Sequence, residues 1–84
     1  MARYLVEAYV PRSRARDARA AGREARAAAA ELAREGTPIR YVRMTLLPDD
    51  ETCFHIFEAA SKDDVSEACR RAGIESGRIV SAVE

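Results

Sequence analysis

An α+β sandwich of order β-α-β-β-α-β, two helices on one face of a four-stranded antiparallel sheet, is predicted by three observations. Four short segments rich in aromatic and β-branched residues alternate with two segments of helical periodicity. Breakers stand at the junctions: Pro11, Gly36 and Pro38, the Pro48-Asp49-Asp50-Glu51 turn, and Gly73. The 84 residues suit one small domain, 1–84, with no linker long enough to divide it.

Arg3–Val10, RYLVEAYV, reads as the first strand and Pro11 ends it. Ser13 is a suitable N-cap for a long helix running to about Glu35, with Gly36 as its stop and Pro38 beyond. Ala, Arg and Glu, all strong helix formers, fill this segment. Its apolar stripe, Ala18, Ala21, Ala25, Ala28, Ala29 and Leu32, follows the 3.6-residue period. Strands follow at Ile39–Leu47 and Thr52–Glu58, joined by the polar turn. Ser61 with Asp64 three residues later is a capping-box pattern opening a second helix. Val65, Ala68, Cys69 and Ala72 give that helix a buried stripe, Gly73 ends it, and Arg78–Val83 is the last strand. The order is that of the ferredoxin-like sandwich.

Strand alternation predicts the two faces of the sheet. Tyr4, Val6, Ala8, Val10, Val42, Met44, Leu46, Phe54 and Ile56 form one apolar set, expected beneath the helices. The opposite set is Leu5, Glu7, Tyr9, Ile39, Tyr41, Arg43, Thr45, Cys53, His55 and Phe57. No further segment is left to cover this mixed face, so a second copy of the chain is its expected cover and a homodimer the expected partner state. Chemistry is expected there as well, because His55 is the single histidine. Strands one and three are central neighbours in this topology, which sets Glu7 beside His55. A three-residue hairpin loop then brings Arg43 or Thr45 opposite His55. Glu7, Arg43 and His55 are thus the candidate catalytic residues: a carboxylate beside a histidine orients it for general acid–base work. Tyr9, Tyr41 and Phe57 are the candidate ligand-binding residues around them. His55 and Cys53, two apart on one strand face, are the candidate metal ligands, a nitrogen and a sulfur suited to nickel, copper or zinc. Each also has a plainer reading: a hydrogen-bonded interface histidine, interface aromatics and, for Cys69, a small core residue.

Other function classes are disfavoured. The formal net charge is zero, with seven arginines against four acids in Arg12–Gly36 and six basic against nine acidic residues from Thr37 onward. The helix arginines alternate with acids and read as a solvated face. Strand three reads CFHIFE and lacks the basic-Gly-aromatic pattern of an RNA-binding sheet, so no nucleic acid is expected. No phosphate-binding glycine loop or nucleophile elbow is present. No apolar run approaches the roughly 20 residues of a membrane span, and the opening MARYLVEAYVPRSR lacks a signal core. A cytoplasmic location with no membrane partner, and reduced cysteines, are expected.

The opening YLVE, the stretch VR-M-x-x-x-PDDETCF, then FEA and S-x-x-x-V-x-E-A-x-RRAG-I resemble a family of short actinobacterial-type ferredoxin-like proteins of unknown function, labelled nickel-binding-protein-like. The resemblance spans nearly the whole chain outside the alanine-rich helix. It implies a ferredoxin-like fold, dimerisation and, as cofactor, a divalent metal such as nickel. It carries no nickel ligand over by position: Glu7 and Ala8 stand where a first-strand histidine would be sought, and neither helix holds one. The leading functional expectation is a cytoplasmic homodimer that binds a small molecule or a metal ion. The alternative is a small cofactor-independent enzyme, isomerase or cyclase in type, with His55 in a pocket on the open sheet face.

Overall fold

Alternating strand and helix patterns form the elements they predict. The computed structural model describes residues 1–83; Glu84, the last residue of the predicted domain, lies outside the described residues. Strands β1 (Ala2–Tyr9), β2 (Ile39–Leu47), β3 (Thr52–Ala59) and β4 (Ser76–Ala82) make one antiparallel sheet in the order β2-β3-β1-β4. Helices α1 (Ala18–Arg34) and α2 (Lys62–Ala72) complete the order β-α-β-β-α-β of a ferredoxin-like α+β fold.

Helix α1 buries Ala18, Gly22, Ala25, Ala28, Ala29 and Leu32, a stripe of small side chains that brings its backbone close to the sheet. Its start departs from the sequence expectation. Ser13 caps nothing: Arg12–Asp17 form a 3-10 segment, kinked at Arg14 (φ −121°, ψ 20°), and regular α-helix begins at Ala18. At α2 the expected cap is present, with Ser61 Oγ accepting a 3.3 Å hydrogen bond from the Asp64 N–H. Gly73 ends α2 at φ 73°, in the left-handed region that a Cβ disfavours.

Register overturns part of the predicted face assignment. Leu47 pairs with Thr52, so the hairpin loop holds four residues, Pro48 to Glu51, not three, and Glu51 closes it at φ 50°. An even loop sets even-numbered residues of β2 opposite odd-numbered residues of β3: Met44 faces His55 and Leu46 faces Cys53. A bulge between Tyr41 and Arg43 then shifts the pairing by one, and Tyr41 faces Phe57. Directly opposed residues share a face. Ile39, Tyr41, Met44 and Leu46 therefore lie on one side together with Cys53, His55, Phe57 and Ala59. On β1, Val6 pairs with His55 and Tyr4 with Phe57, which makes this the helix side. Tyr4, Val6 and Ala8, predicted there, are there. Cys53, His55, Phe57, Ile39 and Tyr41 were expected on the open face and lie beneath the helices instead. Phe54 and Ile56 make the reverse exchange.

The two helices are tied at the surface by Arg71. Its guanidinium donates to Glu31 at 2.5 Å, to Glu35 at 2.7 and 2.9 Å, and to Glu67 at 2.8 Å. Hydrogen bonds from Arg70 and Arg71 hold the Glu67 carboxyl down at about 2, and Arg71 lowers that of Glu35. Both folded-state values lie below the ordinary 4.5. The stabilisation is therefore complete above that value and is lost as pH falls through the folded ones. Arg71→Gln is expected to lower the melting temperature near neutral pH and to lose less further stability than wild type as pH falls from about 5 to about 2. Equal acid sensitivity of the two proteins in thermal melts would show that the network adds nothing.

Candidate functional site

The register places the single histidine in the core. His55 is 1% exposed, and it is the one buried polar or charged side chain among the described residues. A buried imidazole needs partners for its nitrogens. Tyr41 supplies the first, its Oη lying 2.9 Å from His55 Nδ1. Burial pushes the Tyr41 phenol up to about 12 and lowers the histidine below its ordinary range. The phenol thus stays protonated and the ring neutral. With the phenol donating to Nδ1, the ring proton sits on Nε2, which faces Cys53 Sγ at 3.7 Å. Cys53 Sγ in turn lies 3.9 Å from Met44 Sδ. Desolvation raises the Cys53 thiol, so this sulfur is held as S–H and not as a reactive thiolate.

Tyr41 is fixed from its other sides. Phe57 meets it edge-on, with ring centroids 5.1 Å apart at 78°, and the Arg26 guanidinium lies 5.2 Å from the Tyr41 ring centre. Gly22 of α1 passes directly over the phenol. A Cβ at that position would stand 3.2 Å from Tyr41 Oη and 3.4 Å from Met44 Sδ.

Two clefts open onto this interior, both on the helix side. The larger, about 380 Å3, lies between the end of β1, the start of α1 and the end of α2, with His55 among its lining residues. Ala18, Ala21 and Ile74 give it apolar surface, and Tyr9, Glu75 and the Arg14–Asp17 ion pair (3.2 Å) add polar groups. The second, about 300 Å3, lies between α1 and the edge strand β2 and is lined by Arg19, Gly22, Arg23, Arg26, Tyr41, Arg43 and Met44.

The expected cluster of Glu7, Arg43 and His55 is not formed. Glu7 pairs with Phe54 on the far side of the sheet from His55, and its carboxylate lies 3.6 Å from Arg78. Arg43 pairs with Ile56 and lines the second cleft. The pocket expected on the open face around His55 fails for the same reason: the even loop turns His55 inward. Among the predicted ligand-binding residues, Tyr9 is 70% exposed beside the His55 cleft, Tyr41 lines the arginine cleft, and Phe57 is fully buried and lines neither. His55 and Cys53 do lie together. Sequence reading missed Met44, Gly22 and the helix arginines as a group. Arg19, Arg23 and Arg26, spaced by four and three, carried the signal, since that spacing puts them on one helical stripe.

The fold and the enclosed histidine define a small ferredoxin-like protein with a tuned polar core, and comparison with known proteins makes this specific. The chain belongs to the family described as nickel responsive protein SCO4226-like, whose model matches residues 4–81. No curated protein and no solved structure matches the chain.

Nickel can be tested against the residues. Among the described residues no group of three or more His, Cys, Asp or Glu side chains could hold a metal ion. Cys53 and His55 offer one sulfur and one nitrogen, and the His55 Nδ1 is already taken by Tyr41. Met44 could add only a thioether, and it lines a cleft with four arginines that repel a cation. These donors do not fit a nickel centre.

Tyr41→Phe removes the partner of a buried imidazole nitrogen and is expected to cost about 1–3 kcal/mol of unfolding free energy in urea titrations. A loss below a few tenths of a kcal/mol would show that the Tyr41–His55 bond contributes little.

Proposed function

We propose that the protein is a small cytoplasmic homodimer that binds a small-molecule ligand without catalysis, within a family whose description links it to nickel response. Two faces with different compositions support the two parts of this reading.

Dimerisation rests on the open face. Register puts Leu5, Phe54, Ile56 and Val80 on it, with Leu5 opposite Ile56 on one side and Val80 on the other. Val80 is 37% exposed and, beside the strip, Leu47 is 39% exposed; Leu5 and Phe54 are half-buried, and Ile56 at the centre is buried already in the single chain. Ion pairs flank the strip: Arg3 and Arg40 with Glu58 at one end, and Glu7 with Arg78 at the other. An apolar strip framed by charge is the usual anatomy of a protein interface, and a two-fold pairing of sheets buries it on both copies at once.

Ligand binding rests on the cleft of about 380 Å3 whose lining includes His55, the one residue classed as buried polar or charged among the described residues. Small ligands use concave sites in which apolar surface is combined with convergent polar groups, and this cleft sets Ala18, Ala21 and Ile74 beside Tyr9, His55 and Glu75. Nickel enters this reading through the family's response and not as a resident ion, because the donors present do not fit it.

Sedimentation at micromolar concentration is expected to give a dimer, and Phe54→Glu to give a folded monomer. A wild-type monomer at that concentration would remove the dimer. Loaded with nickel and then desalted, the protein is expected to keep well below one ion per chain. One ion per chain, lost in His55→Ala, would instead restore His55 and Cys53 as metal ligands.

A further inference from the structure

Most arginines of this chain that touch a carboxylate do so in identifiable pairs. Arg14 meets Asp17, Arg40 meets Glu58, Arg70 and Arg71 meet Glu67, and Arg78 meets Glu7. The cleft between α1 and β2 is different. Arg19, Arg23 and Arg26 project into it from one stripe of α1, and Arg43 comes from the bulged edge strand opposite. No carboxylate lines the cleft, and none of the four has an ion-pair partner among the described residues. Four like charges around one concavity repel one another and raise the local concentration of anions, even though the chain as a whole has zero net charge.

We propose that this cleft binds a phosphate group, either free phosphate or the phosphate of a small phosphorylated molecule. Guanidinium groups match phosphate oxygens with paired N–H donors, and several arginines together suit a dianion. One of the four is already held in place. Arg26 lies over the Tyr41 ring and reaches the carbonyl oxygens of Tyr41 and Val42, at the bulge, at 3.5 and 3.4 Å. A positioned cation loses less entropy when it binds. Gly22 leaves the floor open, and Tyr41 and Met44 add a small apolar surface next to the charges. About 300 Å3 accommodates a phosphate with a small organic group attached. This goes beyond the ligand-binding reading, which rests on the other cleft, and it is independent of the dimer.

The test is calorimetric titration of the purified full chain with inorganic phosphate and, separately, with phenyl phosphate. At least one probe is expected to bind with a Kd of about 1 mM or tighter, and Arg19→Gln/Arg23→Gln is expected to weaken it about tenfold or more. Arg34→Gln/Lys62→Gln removes the same charge away from the cleft and is expected to leave the affinity within about twofold. All four residues are exposed, so the folds should be unaffected, as circular dichroism can verify. Equal affinities for the two probes support free phosphate as the ligand, and tighter binding of phenyl phosphate supports a phosphorylated molecule. The proposal is overturned by equal weakening in the two double variants, by no binding of either probe, or by binding of single-stranded RNA alone. None of these outcomes alters the sedimentation result, so failure here is distinguishable from failure of the dimer.

Discussion

Every side chain on the central hairpin takes its face from one register, set where Leu47 pairs with Thr52 across a four-residue loop. A shift of one residue would exchange the two faces of β3 completely. As paired, Cys53, His55, Phe57 and Ala59 join Val6 and the small stripe of α1, and Phe54 and Ile56 are left for the opposite side. The bulge at Tyr41–Arg43 is the second half of the same device. It returns Ile39 and Tyr41 to the helix side, where Tyr41 can reach His55. Without the bulge the histidine would lose its hydrogen-bond partner and the core an aromatic ring.

From that register the division of labour follows. The helix side holds a polar interior of unusual make-up, a neutral imidazole between a phenol and a thiol, covered by alanines and Gly22. Small residues on α1 let the helix approach closely, and the clefts lie at its start beside the end of α2 and along its flank against β2. The open side holds an apolar strip between ion pairs. On the proposed reading, ligand binding and association lie on opposite faces of one thin sheet. A histidine enclosed in this way, with its ring held neutral, is in keeping with the proposed binding role.

Much of this architecture was legible in the residues. The helical period of the alanine stripe, the Ser61 cap and the glycine stops each have a local physical cause, and local causes are visible in sequence. The facing of β3 was not legible, because CFHIFE is apolar in both alternations: Cys53 with Phe57, or Phe54 with Ile56. Its register depends on a loop closed by Glu51 in a left-handed conformation, a residue that does not announce positive φ as glycine would. The bulge likewise has no glycine to mark it. The 3-10 start of α1 was hidden behind Ser13, a good cap by type that caps nothing. For the site, residue types were found but not their company: His55 and Cys53 lie together, whereas Glu7 and Arg43 point elsewhere. The arginine cleft was missed because the helix arginines, alternating with acids along the chain, read as a solvated face.

The most direct measurement is an NMR titration of the ring resonances of His55, which are unambiguous because the chain has a single histidine. Burial against Tyr41 and Cys53 predicts a midpoint below the ordinary 6.5 and a neutral ring near physiological pH. A midpoint at or above 6.5 would mean that the ring meets solvent or an anion, as the opposite register would have it, and would contradict the account.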